Sequence, residues 1–138
     1  MTILVDIRGR QKKVSISKYF VEWDKIVGSN AQFSTKQFLR KYWLGETVCE
    51  EFRIPGSRLR IDLINFSRKV VVEVSGRQHE NFNKFFHKNR IGFIKSIKRD
   101  FEKIHWIETN GFSLIEIYDY EVENLNTDFI KEKFGIDL

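Results

Sequence analysis

The chain is predicted to be a mixed α/β protein of the α+β type: a mixed central sheet flanked by helices, with an N-terminal β-hairpin and helix. Three observations predict it. Residues 58–64 alternate polar and apolar side chains with a period of two, and the valine-rich stretch 69–75 follows as a second strand. Apolar residues return at helical spacing between about 79 and 110. A further apolar stretch, 112–118, follows Gly111. The 138 residues suit a single domain, and 41% hydrophobic and 14% aromatic side chains supply a core. Residues 1–30 read as a hairpin and helix extension, and residues 31–138 as the core domain.

The elements follow in order. Ile3, Val5 and Ile7 alternate, Gly9 marks a turn, and Val14 and Ile16 resume the pattern, so residues 2–16 form a hairpin. Residues 18–27 read as a helix that stops at Gly28. Ser34-Thr35-Lys36-Gln37 has the form of a capping box and starts a helix over about 35–43. Residues 46–54 form a strand, and Pro55-Gly56-Ser57 a turn. Strands 58–64 and 69–75 flank a short turn at 65–68. On the first, Leu59, Ile61 and Leu63 share a face and Arg60 and Asp62 the other; on the second, Val70, Val72 and Val74 oppose Val71, Glu73 and Ser75. Helical material spans 79–110, broken near Asn89 to Gly92. Strand 112–118 and a helix over 120–134 close the chain.

Charge is segregated. The net charge is +5, yet residues 1–60 carry +6, residues 77–99 another +6, and residues 100–138 carry −7. Such a field suits a polyanion on one side and solvent on the other. No apolar run is long enough to span a membrane. The first residues lack a signal-peptide layout, and a cytoplasmic location is expected. A single cysteine, Cys49, excludes a disulfide framework and a cysteine-based zinc site.

Two carboxylates interrupt the apolar strands. A hairpin over 65–68 brings Asp62 level with Glu73 or Val72. Carboxylates in such a setting are costly unless compensated. A hard cation between them offsets their repulsion, and Mg²⁺ takes one or two carboxylates with waters and phosphate. The other arrangement pairs them with Arg60 and Lys69 on a solvated face. Directly after the second strand come Gln78 and His79, and an imidazole there can serve as a general base or hold a water or phosphate.

Arg60-Ile61-Asp62-Leu63, then Val71-Val72-Glu73-Val74-Ser75-Gly76-Arg77-Gln78-His79, then Arg99-Asp100 with Lys103 and Trp106, then Asn110-Gly111-Phe112-Ser113-Leu114-Ile115-Glu116-Ile117 form an ordered series. Over about residues 34–125 it resembles the PD-(D/E)XK nucleases. The branch it resembles holds the very-short-patch mismatch repair endonuclease and phage homing endonucleases with an E-D-x-H-D pattern. The resemblance implies a restriction-endonuclease-like core and a metal-dependent endonuclease acting on double-stranded DNA, with Mg²⁺ or Mn²⁺ as cofactor and a homodimer as one route to cutting both strands. It assigns Asp62 and Glu73 to the metal, His79 to water, and Asp100 to the later aspartate. Gln37 stands where the pattern has a glutamate, a departure for which Glu51 is a candidate substitute. Ser75 stands where the superfamily often has its lysine, leaving that role to Lys103 or His79. Asp100 alternatively pairs with Lys103 on a helix surface. His87 and His105 read as surface or structural groups.

The chemistry suits these residue types. A divalent cation supplies Lewis acidity, and basic side chains stabilise phosphoryl charge. Arg60, Arg77, Lys84, Lys88, Arg90 and Lys95 are candidates to hold the DNA backbone. Arg8, Arg10, Lys12 and Lys13 crowd the hairpin turn; a basic β-ribbon can enter a major groove, or its lysines can protect a sheet edge. Three functions remain open: a homing-type endonuclease, a mismatch- or junction-specific nuclease on the same fold, and a non-catalytic DNA-binding module.

Overall fold

The computed structural model describes residues 2–76 and 90–138, with backbone alone for 90–96. A two-stranded antiparallel hairpin, β1 (Thr2–Val5) and β2 (Gln11–Val14), opens the chain. Helix α1 (Asn30–Trp43) precedes three strands, β3 (Val48–Arg53), β4 (Arg60–Asn65) and β5 (Val70–Ser75). Helix α2 (Arg90–Thr109), strand β6 (Ser113–Tyr118) and helix α3 (Thr127–Phe134) complete it. The four-stranded sheet runs β3-β4-β5-β6, antiparallel except for the parallel β5–β6 pair. The expected mixed sheet and hairpin are present.

Helices cover both faces of the sheet, as continuous Val and Ile runs in the central strands demand. On one face Leu39 and Trp43 of α1 and Ile130 of α3 pack on Leu63, Val72, Ile115 and Ile117. On the other, Trp106 and Ile107 of α2 pack with Phe52, Ile61, Ile64 and Val71. Leu4 of the hairpin belongs to this second cluster. The hairpin is also held by polar contacts: the Trp106 indole N–H donates to the Val5 carbonyl at 2.7 Å, and Asn110 Oδ1 accepts from the Val5 N–H at 2.8 Å.

Strict alternation fails at one level of the sheet. Cys49 and Phe52, three residues apart on β3, both reach the second cluster, as do Ile64 and Ile61 on β4. Between each pair the strand turns over. Glu51 marks the place with φ of 48°, a left-handed conformation for a side chain that has no glycine freedom. Glu51 lies between the Glu50–Leu63 and Phe52–Ile61 register pairs, opposite Asp62.

Three expected elements differ. Residues 18–27 are not a helix. A 3-10 turn covers Ser17–Tyr19, Phe20 bridges Cys49, and an irregular segment follows. Its backbone groups bond elsewhere. The Val21 N–H donates to the Val48 carbonyl at 3.0 Å, and Lys36 Nζ donates to the carbonyls of Glu22 and Lys25 at 2.8 and 2.6 Å. Helix α1 starts earlier than the capping-box pattern at Ser34 predicts. Ser29 is the cap, its hydroxyl accepting from the Gln32 N–H at 3.1 Å. The last helix divides into a 3-10 segment, Asp119–Asn124, and α3, because Asn126 caps a new start by accepting from the Phe129 N–H at 2.7 Å. Helix α2 is described from Arg90 onward, through Gly92, and the expected break near Asn89 borders residues 77–89, which lie outside the described residues.

Lys36 and Glu50 form a buried ion pair, Nζ to Oε1 at 2.9 Å, and Glu50 Oε2 also accepts from the Glu22 N–H at 2.7 Å. Each charge has its hydrogen bonds satisfied, and the pair ties the irregular 20–27 segment to α1 and β3. Removing one partner strands the other charge. Lys36→Met is therefore expected to lower stability by about 3–5 kcal/mol, and the double variant Lys36→Met/Glu50→Leu to recover most of that loss. Urea denaturation of both variants measures it.

Candidate functional site

Strands β4 and β5 exchange backbone hydrogen bonds from Asn65–Val70 up to the Leu63–Val72 pair and no further. The next register pair is Asp62 and Glu73. Here side chains replace the ladder. The Asp62 N–H donates to Glu73 Oε2 at 2.9 Å, and the Val74 N–H donates to Asp62 Oδ2 at 2.8 Å. Each carboxylate reaches across to the other strand and satisfies a backbone donor that the parted ladder leaves open. The expected hairpin does bring the two acids level, and the arrangement with Arg60 and Lys69 on a solvated face is absent: both cations are exposed and neither touches the pair.

Among the described residues the cation that compensates is Lys103. Its Nζ lies 2.6 Å from Glu73 Oε1, with the carboxylate side chain only 13% exposed. Helix α2 presents it. Trp106 and Ile107 bury the inward stripe of that helix, and Lys103 falls one turn before Trp106, on the side that overlies β5. The Trp106–Val5 hydrogen bond fixes the helix further.

Burial and then the Glu73 charge push the Asp62 carboxyl from 3.8 up to about 8; the Val74 N–H and Lys103 pull in the opposite direction without prevailing. Asp62 thus keeps its proton near neutrality, held by burial and by the Glu73 charge beside it.

Two further acids continue the row across the sheet. Glu51 stands opposite Asp62 on β3 and accepts from the Gln32 amide at 3.0 Å. Glu116 is the β6 register partner of Glu73, and the Ser75 hydroxyl donates to its Oε1 at 3.4 Å. Glu116 had no role in the sequence reading. Its period-two position in 113–118 is the signal for it, but which strand it neighbours is not written locally. Among the described residues no group of three or more His, Cys, Asp or Glu side chains is arranged to hold a metal ion. Among the described residues a cation at Asp62 and Glu73 would meet these two carboxylates, a donor set that Mg²⁺ accepts when water and phosphate complete its shell.

The other sequence candidates are placed as follows. The Gln37 amide donates to the Trp23 carbonyl and supports the 20–27 segment, away from the carboxylate pair. Asp100 is exposed on α2 and enters none of the contacts of Asp62, Glu73 and Lys103. Arg60 is exposed at the start of β4, and Arg8, Arg10, Lys12 and Lys13 are exposed around the hairpin turn. His105 is exposed. His79, Arg77, Lys84, Lys88 and His87 lie outside the described residues, as do the side chains of Arg90 and Lys95. Burial pushes the Cys49 thiol up to about 12, which removes it as a nucleophile.

No protein-family model matches the chain, and no solved structure matches it. Over 64 residues it is 39% identical to Uncharacterized protein 033L of Invertebrate iridescent virus 3, covering 46% of this chain and 33% of that protein. The chain spans about a third of the length of the curated relative it matches. No helix among the described residues is long and apolar enough to cross a membrane.

The raised Asp62 pKa has a measurable consequence. Between 3.8 and about 8 the folded protein keeps a proton that the unfolded chain releases, so Asp62 makes stability fall as pH climbs through that interval. Asp62→Asn is expected to flatten this dependence by at most about 1.4 kcal/mol per pH unit. Thermal melts of the wild type and the variant over a pH series check it.

Proposed function

We propose that the protein is a Mg²⁺-dependent endonuclease that hydrolyses phosphodiester bonds in double-stranded DNA, site-specific and of homing type. The observation that carries the reading is the Asp62–Glu73 pair at the end of a parted strand ladder, with Lys103 on Glu73. The proposal joins this geometry to the restriction-endonuclease-like core that the sequence resemblance implies. An acid on each of two adjacent strands and one lysine are the components such a nuclease needs, with the lysine delivered by α2 rather than by the position of Ser75.

Asp62 and Glu73 would hold the cation, whose chemistry when bound is Lewis acidity toward a phosphoryl oxygen and a lowered pKa for water. Asp62 would have to give up its proton to hold the cation, so occupancy would rise with pH. Lys103 neutralises Glu73 now, and its ammonium is positioned to stabilise charge growing on a phosphoryl group beside that carboxylate. Cutting both strands with one site of this size calls for a homodimer or two successive events.

A second reading has its own support. Gln37 is committed to the Trp23 carbonyl and Asp100 faces solvent, so two positions of the E-D-x-H-D pattern stand apart from the carboxylates. A DNA-binding module without catalysis fits that arrangement.

Incubating supercoiled plasmid with the protein and Mg²⁺ or Mn²⁺ separates the two. The nuclease reading expects nicked or linear product, a loss of about 100-fold or more in Asp62→Asn and in Lys103→Met, and DNA binding retained in both. Binding with no cleavage under either cation establishes the module instead. Mapping the cut ends on plain, mismatched and four-way DNA distinguishes a homing enzyme from a repair nuclease.

A further inference from the structure

Away from the carboxylate pair, a cleft of about 600 Å³ separates β2 from the turn that joins β3 to β4. Lys12, Lys13 and Lys18 line one wall, and Arg53 and Arg58 the other. All five are exposed, and among the described residues no acidic side chain lines the cleft. The nearby acid, Asp6, spends one carboxylate oxygen on the N–H groups of Arg8 and Arg10, each at 2.9 Å. Five like charges held around one opening repel one another, and a built arrangement of this kind is matched by an anion.

The walls are fixed to each other. The Ile7 N–H donates to the Pro55 carbonyl at 2.9 Å. Gly56, with φ of 79°, passes so close to the hairpin that a Cβ there would lie 3.4 Å from the Ile7 side chain. The Arg53 guanidinium is held by the Ser57 carbonyl at 2.7 Å, which sets its direction. The opening is therefore present before any ligand arrives.

The geometry points to a clamp for the sugar–phosphate backbone of duplex DNA in this cleft, an inference that rests on the DNA reading above for the identity of the polymer. Three features favour a backbone over a nucleotide or a free phosphate. First, the cations line both walls of an opening far larger than one phosphate. Second, the one aromatic in the lining, Tyr19, is packed edge-on against Phe52 with Lys18 near its ring, so no pair of aromatic faces awaits a base. Third, the cleft adjoins the candidate site. Arg53 lies two residues along β3 from Glu51, the residue opposite Asp62. On this reading Lys12 and Lys13 grip phosphate as part of a two-walled cleft, and Lys18, Arg53 and Arg58 join them.

The test measures binding in EDTA, where no cleavage occurs, by fluorescence anisotropy of a short labelled duplex of mixed sequence across a salt series. The full chain is compared with Lys13→Gln/Arg58→Gln and, as a control on another surface, Lys41→Gln. The clamp expects the slope of log affinity against log salt to shrink by about two in the double variant, one for each lost phosphate contact, and to stay unchanged in the control. Arg58→Glu alone carries the same test if the double variant melts early, since its exposed side chain has no hydrogen bond among the described residues. A wild-type slope in these variants overturns the clamp. So does displacement of the duplex by inorganic phosphate at matched phosphate concentration, or tighter binding of duplex RNA or single strands. Plasmid cleavage reports separately on Asp62 and Glu73: a lost salt slope with no nuclease activity keeps the clamp and ends the nuclease reading, and the reverse result does the opposite.

Discussion

Two backbone N–H groups at the end of the β4–β5 ladder have carboxylates for partners instead of carbonyls. Asp62 and Glu73 each receive one from the opposite strand. Much of the local architecture follows from that exchange. The acids must stand in the interior of the sheet, level with one another, and their mutual repulsion must be offset. Part of the offset is the proton that Asp62 keeps; the rest is the Lys103 ammonium, which requires α2 to lie over β5 at a set height. Packing of Trp106 and Ile107 and the Trp106–Val5 hydrogen bond supply that height, so the N-terminal hairpin and the carboxylate pair share one support.

The level of the pair is also where the sheet turns over. Glu51 takes a left-handed conformation opposite Asp62, and β3 and β4 reverse which residues face each helical layer. Such conformations cost on the order of 1–3 kcal/mol and persist where surrounding structure dictates them. At Glu51 the dictating contacts are the buried neighbours Glu50 and Phe52, one tied to Lys36 and the other to the aromatic cluster. The Lys36–Glu50 pair and the Asp62–Glu73–Lys103 cluster therefore sit on adjacent strands, one toward α1 and one toward α2.

The strands were legible because alternation is a local property. Val72 to Ser75 and Ile115 to Tyr118 carry the period in their own side chains, and Gly111 stops α2 as its position suggests. The pairing of Asp62 with Glu73 was legible for the same reason, since a four-residue connection leaves few registers. Residues 18–27 misled because their apolar spacing suits a helix, while the groups that deny it one, Lys36, Gln37 and Glu50, come later in the chain. Ser34 misled because two Ser-x-x-Gln patterns lie five residues apart, and Ser29 is the one that caps. Lys103 was only one of two substitutes for an absent lysine at Ser75, because helix rotation over a sheet cannot be read from spacing. Glu116 was overlooked since only the parallel β5–β6 register sets it beside Glu73.

From its own residues the chain determines a mixed sheet, a basic hairpin and two facing acids, all encoded over short separations by periodicity, turn chemistry and charge. Tertiary structure decided which cation meets those acids and that the segment before α1 stays irregular. Each of these depends on a side chain meeting a backbone group or charge distant in sequence, and such meetings exist only once the layers have packed.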